Sequence, residues 1–538
     1  MVWTPQPDRL SAMSRTLTQA WAVATAAAIF VMGQIVLSGA SPVPVGDESA
    51  HLGKLFELQV MLSQSQGWLE SFNRLAITGD AYPNTIYALT LPFLGGEPSI
   101  DDARQALLWL PTLHAWIAVT VGSRLWGRPA ALAYVVLACL SPIVMAYQPV
   151  YLLDTALLSA VGISVILCES TDGFRRPVMT ACFVLAAALT LLTKWTALLW
   201  LSAPTAWQCW RAVASGPASF TLKAQRAALM LGVSAIGVTL IFNISGTEWA
   251  QGWRPEDAGA WGPLLFLLCA LAGTIGLSSR IWSPYRRAMI ALVAVLVLAG
   301  AWYAMRMPLL LERMAHEATT GIPQSGPNAN HLTMWTQTLR MLVQGGELWL
   351  VLGLVLATWR RTGPTWARAL GLALGVGVTI RYLPFNPRYL LPVAPLLAGI
   401  AVGAWSHWSS RIQWGAAAMT ASLVTLIALA PLPTEPLTQT WTTERVRLPY
   451  PELSKGVGTP PAPLDRPSTA AMLDTLSVFC ERGCQAHLTD RPHGIQGRAI
   501  RVLGMTRGLD VRFSGPCGGP EVPLPGTDQT LTVCDPGP

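Results

Sequence analysis

The sequence predicts an all-α polytopic membrane protein of about thirteen transmembrane helices, closed by a small extracytoplasmic C-terminal domain of α/β or β type. Three observations predict it. The 538 residues are 52% hydrophobic and only 12% charged, with a mean hydropathy of +0.42 and repeated apolar runs near the length that crosses ~30 Å of hydrocarbon. The segments between those runs alternate between arginine-rich and acid-containing. Past residue 431 the composition shifts to Pro, Gly and Thr, ending the membrane region at 1–431 and leaving 432–538 as a separate unit.

The N-terminus carries Arg9 and Arg15 before an apolar run from Trp21 to Leu37. Acidic sequence follows it, so the run reads as an uncleaved first helix and not a signal peptide. Arg15 inside the cell puts the first large loop, 39–103, outside. Within that loop the stretch Tyr82 to Leu94 is short and begins with YPN, which suits a piece lying against the outer leaflet better than a span.

Basic segments then recur at SRLWGRP, DGFRRP, Arg211 to Arg226, SRIWSPYRR, WRRTGPTWAR and around Arg411. Cytoplasmic loops carry this excess of arginine. The alternating segments, including GTEWAQGWRPEDAG and MRMPLLLERMAHEATTGIPQSGPNANHLT, are richer in acids. The N-terminus is therefore expected in the cytoplasm and the C-terminus outside, in a plasma or bacterial inner membrane. The net charge of +7 is accounted for by these loops and does not point to nucleic acid.

Cys139, Cys168, Cys182, Cys209 and Cys269 lie in or beside apolar runs, where a thiol behaves as a small hydrophobe. Cys480, Cys484, Cys517 and Cys534 fall in the polar tail. An even number in an external domain suggests two disulfides, with three connectivities open. A zinc site is the alternative, but C-x3-C…C…C fits standard ligation poorly. The tail's runs AMLDTLSVFC and RAIRVLGM suit a helix and strands.

No Walker loop, HExxH, GxSxG or internal repeat is present, so ATP-driven and serine-triad chemistry lose support. The polar groups at the outer membrane face remain. Asp47, Glu48 and His51 fall together in VGDESAHLGK, and Asp154 begins a span in YLLDTALLSA. Lys194, in LLTKWTALLW, is one of four lysines in the chain, and Arg381, Arg388 and Tyr389 lie in TIRYLPFNPRYLLPVAP. Charges at membrane depth are costly and are functional candidates by default. Each also has a structural reading. Asp47 or Glu48 can cap a helix, although a cap needs only one acid; His51 can make a structural hydrogen bond, orient Asp47 or bind a metal; Asp154 can pair with a cation; Lys194 and Arg388 can snorkel.

In order along residues 20–430, the chain carries an external DE pair (Asp47, Glu48), YP-x-x-x-Y (Tyr82, Pro83, Tyr87), an RLWG turn (Arg124 to Gly127), an Asp at an outer helix start (Asp154), LLTKWT around Lys194, and RYLLP-x-x-P (Arg388 to Pro395). This series resembles the polytopic GT-C glycosyltransferases, the superfamily of protein O-mannosyltransferases and lipid A aminoarabinose transferases. The chain departs from it in having YPN where many members have KPP. The lysine that contacts donor phosphate there is absent, and the tail has no counterpart.

The resemblance implies inverting transfer of a sugar from a polyprenyl-phosphate donor to an extracytoplasmic glycan, lipid or protein. Asp47 is then the expected base, with Glu48 and Asp154 as further catalytic acids. Lys194, Arg381 and Arg388 are expected to hold phosphate, and His51, Tyr82 and Tyr389 to contact substrate. No cofactor is required, while a divalent metal stays an open alternative. A transporter or flippase, or a non-catalytic envelope assembly protein, are the rival classes; a transporter should show paired repeats with broken helices at midplane, and none is detected.

Overall fold

The structure, a computed structural model, describes residues 7–38, 47–67, 70–71, 82–147, 150–214, 221, 283–320, 367–373, 375–376, 391–405, 408–429, 441–443, 446–448, 466–479, 484–488, 497–507, 509, 511–513, 521–523 and 530–534. These residues are mostly helical. Helix α1 (Pro7–Ser38) is followed by α2 (Asp47–Ser63) and by short α3 (Thr85–Thr90), which runs into a 3-10 turn at Leu91–Phe93. Next come α4 (Ile100–Leu107), α5 (Trp109–Ile117), a π turn (Ala118–Gly122) and α6 (Ser123–Trp126), nearly continuous along one axis. Gly127, at φ 85°, ends α6 and opens α7 (Arg128–Cys139); a left-handed residue there costs an L side chain about 1 kcal/mol or more, which explains the glycine of RLWG.

Helices α8 (Pro142–Tyr147), α9 (Leu153–Ser170), α10 (Pro177–Leu191), α11 (Ala197–Ala214), α12 (Pro284–Thr320), α13 (Val393–Trp405) and α14 (Ser410–Leu429) complete the described bundle. Among the described residues, Thr16–Ile35, Ile100–Trp126 and Leu153–Ser170 are long and apolar enough to cross a membrane. Helix α9 is its axis, buried along nearly its whole length and packed against α5, α10, α11 and α13. Helix α1 is built into the same bundle, with Ala22 and Ile29 in one core with Ala115, Ala118 and Ala133. Of the apolar runs behind the thirteen-span count, those between residues 222 and 282 and between 321 and 366 lie outside the described residues.

The stretch Tyr82 to Leu94 is short, as expected. Helix α3 and its 3-10 turn together extend roughly 15 Å, about half the hydrocarbon thickness. Ile86, Tyr87 and Thr90 face the core, while Leu89 and Phe93 are exposed.

After a short hairpin of β1 (Trp441–Thr443) and β2 (Val446–Leu448), the C-terminal unit combines α15 (Arg466–Phe479) and α16 (Gly497–Met505) with a four-stranded sheet. Its strands β3 (Cys484–Leu488), β4 (Val511–Phe513), β5 (Glu521–Pro523) and β6 (Thr530–Cys534) lie in the order β4-β3-β6-β5. Strands β3 and β4 are parallel and joined through α16, while β6 is antiparallel to β3 and β5. The α/β alternative is therefore the one observed, and RAIRVLGM forms a helix. Ala499, Ile500, Val502 and Leu503 are buried while Arg501 is exposed, a helical period that overrides the β-branched content.

This unit is packed onto the first loop. Leu52, Leu55, Phe56 and Leu58 of α2 share one buried core with Met472 and Leu476 of α15, Ile500, Val502 and Leu503 of α16, and Val511, Val522, Leu531 and Val533 of the sheet. Full burial of each such aliphatic or aromatic side chain contributes about 1.5–3 kcal/mol. An exposed ion pair, Arg501 to Glu57 at 2.8 Å, borders the contact.

Candidate active site

Helix α2 begins at Asp47, so the DE pair opens a helix whose first turn accommodates acids favourably. Glu48 is fully buried and both its oxygens are engaged. Arg104 donates through Nε to Oε1 at 2.7 Å and through Nη2 to Oε2 at 2.8 Å, a bidentate fork that only a guanidinium supplies. The backbone N–H of Tyr151 donates to Oε1 at 2.8 Å. One carboxylate thus ties the start of α2 to α4 and to the residue three before Asp154.

Arg104 reaches this position because Ser99 caps α4, accepting from the Asp102 N–H at 3.2 Å, with Asp101 and Asp102 in the first turn. The helix start is fixed by local chemistry, and the arginine falls one turn in, at the mouth of an apolar rod. Sequence reasoning placed the loop end just before Arg104 and passed over it. The available signal was an arginine opening the apolar run of RQALLWL, which needs a buried anion.

Asp154 lies in the first turn of α9. Lys194, in the turn after α10, donates to its Oδ1 at 2.6 Å, and both groups are buried. The lysine ammonium also stands 5.7 Å from the centre of the Tyr82 ring, within cation–π range. Snorkelling to the interface is therefore not what Lys194 does.

His51, one turn into α2, shares a hydrogen bond of 2.7 Å between Nδ1 and the Tyr87 hydroxyl. Its ring lies edge-on to Tyr82 with centroids 6.5 Å apart. Lys54 lies 5.2 Å over the Tyr87 ring, which stacks on Tyr151 at 6.5 Å. The Tyr151 hydroxyl donates to Thr90 Oγ1 at 3.0 Å, and burial pushes that phenol well above its ordinary pKa, so it remains a protonated donor.

The structure thus brings Glu48, His51, Tyr82, Asp154 and Lys194 together around the start of α2, with Asp47 at its first position. Arg104, Tyr87, Tyr151 and Lys54 join them. Arg381, Arg388 and Tyr389 lie outside the described residues. The chain resumes at Leu391, which shares a small core with Val150 and Leu152, the residues flanking Tyr151.

Arg368 differs from its sequence reading as a loop arginine. It is buried at 1% exposure, donating through Nε to Glu169 Oε1 at 2.5 Å, through Nη2 to Glu169 Oε2 and through Nη1 to the Gly399 carbonyl. Glu169 lies in the last turn of α9, so buried ion pairs hold both ends of that helix, about 27 Å long.

No family model and no curated protein matches the chain. Among solved structures, the chain is similar to ArnT from Cupriavidus metallidurans bound to undecaprenyl phosphate, at 16% identity over 76% of this chain and 64% of that one, with a TM-score of 0.42. The chain thus spans slightly less than two thirds of that protein's length. It is also similar to the apo state of the same protein, at 15% identity over 93% of this chain and 86% of that one, with a TM-score of 0.36.

Proposed function

We propose that this chain is a membrane glycosyltransferase that moves a sugar from a polyprenyl-phosphate donor to an extracytoplasmic acceptor. The observation that carries the reading is the Glu48 clamp. It pins the start of α2, where Asp47 stands, beside the start of α9, where Asp154 is paired with Lys194 from the turn after α10.

In this reaction the acceptor hydroxyl oxygen attacks the anomeric carbon and its proton passes to the Asp47 carboxylate. The bond from the anomeric carbon to the phosphate oxygen breaks, and the lipid phosphate leaves with the electron pair, inverting the centre. Lys194 offsets the charge on that phosphate. Arg388 and Arg381 serve the same anion, while His51, Tyr82 and Tyr389 line the substrate.

Glu48 is reassigned within this scheme. A carboxylate with both oxygens engaged by a bidentate arginine and a main-chain N–H is a poor base, so it acts as a positioning residue, and Asp154 holds Lys194. The test is transfer of labelled sugar from polyprenyl phosphate to extracted envelope acceptors by purified protein in liposomes. Asp47→Asn should lower turnover by ~10²–10⁴ while leaving the folded state intact. Wild-type turnover in correctly folded Asp47→Asn protein would remove Asp47 as the base. Absence of any transfer by the wild-type chain across lipid donors would remove the enzyme reading and leave a flippase or assembly role.

A further inference from the structure

The end of α9 opposite the candidate active site opens into the turn 171–176, which holds the two non-glycine residues of positive φ among the described residues. Asp172, Gly173 and Phe174 all have positive φ, at 54°, 65° and 61°. Three successive left-handed residues, two with side chains, are strained and persist only where the surroundings fix them.

Three hydrogen bonds from two helices do so here. The Gly173 N–H donates to Gln208 Oε1 of α11 at 2.8 Å, Arg211 Nη2 of α11 donates to Asp172 Oδ1 at 2.5 Å, and Arg287 Nη1 of α12 donates to the Arg175 carbonyl at 2.5 Å. The effect is to gather Arg175, Arg176, Arg211 and Arg287 around one turn. Asp172, the carboxylate beside them, is engaged by Arg211 and lies 3.9 Å from Arg175.

The same place receives two helix N-termini. Helix α10 starts at Pro177 with no side-chain cap and no acid in its first turn, and α12 starts at Pro284, also with no acid in its first turn. The two helices pack together and begin side by side, as the Arg287 to Arg175 bond requires. Partial positive charge at both N-termini adds to the guanidinium groups.

We propose that this cluster is a binding site for the phosphate of an anionic phospholipid in the leaflet opposite the active site. Phosphate chemistry matches forked guanidinium donors and helix N-termini. A lipid source matches the setting, since basic pockets between helix ends at the cytoplasmic face hold anionic headgroups. Arg175 and Arg176 are exposed and available to it, whereas Arg211 and Arg287 also hold the turn in shape.

The test is a lipid titration of the purified protein in neutral detergent, read by native mass spectrometry. Phosphatidylglycerol should be retained and phosphatidylcholine should not. Each exposed guanidinium is worth roughly five-fold in affinity, so Arg175→Gln/Arg176→Gln should weaken retention by about 25-fold while melting unchanged in lipid-free detergent. Arg124→Gln, an exposed arginine outside the cluster, should retain lipid as wild type does.

Equal retention of the two lipids, undiminished retention by the double variant, or equal weakening by Arg124→Gln would overturn the proposal. Inorganic phosphate displacing phosphatidylglycerol at comparable concentration would overturn the lipid as its source. If the double variant melts lower, Arg176→Lys, which keeps the charge but loses the fork, must lower retention at unchanged stability for the site to stand.

Discussion

At the scale of single residues, the Glu48 to Arg104 pair decides more than any catalytic group named from the sequence. Both partners are almost completely buried, and removing one member of such a pair leaves an uncompensated charge at a cost of about 3–5 kcal/mol. Arg104→Met should therefore destabilise the protein by about that amount in chemical unfolding. Adding Glu48→Gln should restore part of the loss, because an amide without a cation is less costly to bury than a carboxylate. If Arg104→Met unfolds like wild type, the clamp does not hold α2. Glu48 was legible in the sequence as half of an acidic pair, but its role was not, because its partner lies 56 positions away and spacing alone cannot announce a contact of that range. Lys194 shows the opposite: a rare lysine among apolar runs was legible as special, and the buried partner only explains how it is tolerated.

At the scale of elements, α9 and α2 were read with unequal success. The apolar run of α9 is long and nearly uninterrupted, so both its existence and the place of Asp154 at its start followed from hydropathy. What was hidden is how closely α9 meets its neighbours. A Cβ on Gly162 would collide with the His114 ring, and that ring shares a hydrogen bond of 3.0 Å with the Tyr134 hydroxyl. Gly162→Ala must push His114 off Tyr134, and overpacking of this kind typically costs about 1–3 kcal/mol. Thermal unfolding in detergent should register the loss, and unchanged stability would mean that α5 and α9 are not this close.

Helix α2 was legible only as a stretch following a cap. Its coupling to the tail was invisible, because Leu52 and Ile500 share a core across more than four hundred residues. A chain ending at Pro431 should therefore show faster amide hydrogen exchange across Leu52–Leu58 than the full chain, since those side chains lose their cover. Equal protection in the two chains would show that the C-terminal unit merely rests on α2.

At the scale of the whole molecule, one arrangement links the candidate active site, the arginine cluster and the tail. With α9 as the ruler, Asp154 and the arginines beyond Ser170 lie at opposite ends of a helix about 27 Å long, so whichever face carries Arg175 is not the face carrying Asp47. The positive-inside rule assigns the arginine end to the cytoplasm. The C-terminal unit packs on α2, so the same rule puts it on the outer face. That face is an oxidising compartment in a cell envelope, and a small unit there gains stability from cross-links, about 2–4 kcal/mol each. Cys484 and Cys534 occupy neighbouring strands, with Gln485 directly across from Cys534, while Cys480 and Cys517 lie outside the described residues. By contrast Cys139, Cys168, Cys182 and Cys209 of the bundle are free thiols. Alkylation of denatured, unreduced protein should accordingly label the bundle cysteines, Cys269 included, and leave Cys480, Cys484, Cys517 and Cys534 unlabelled until a reductant is added. A reporter fused after Pro431 should be active only outside the cytoplasm, and one fused after Arg361 only inside. Four further labelled thiols, or stoichiometric zinc released on unfolding, would remove the disulfides, whereas an active cytoplasmic reporter at Pro431 would place the tail, and with it Asp47, on the wrong side of the membrane for a lipid-linked donor presented outside.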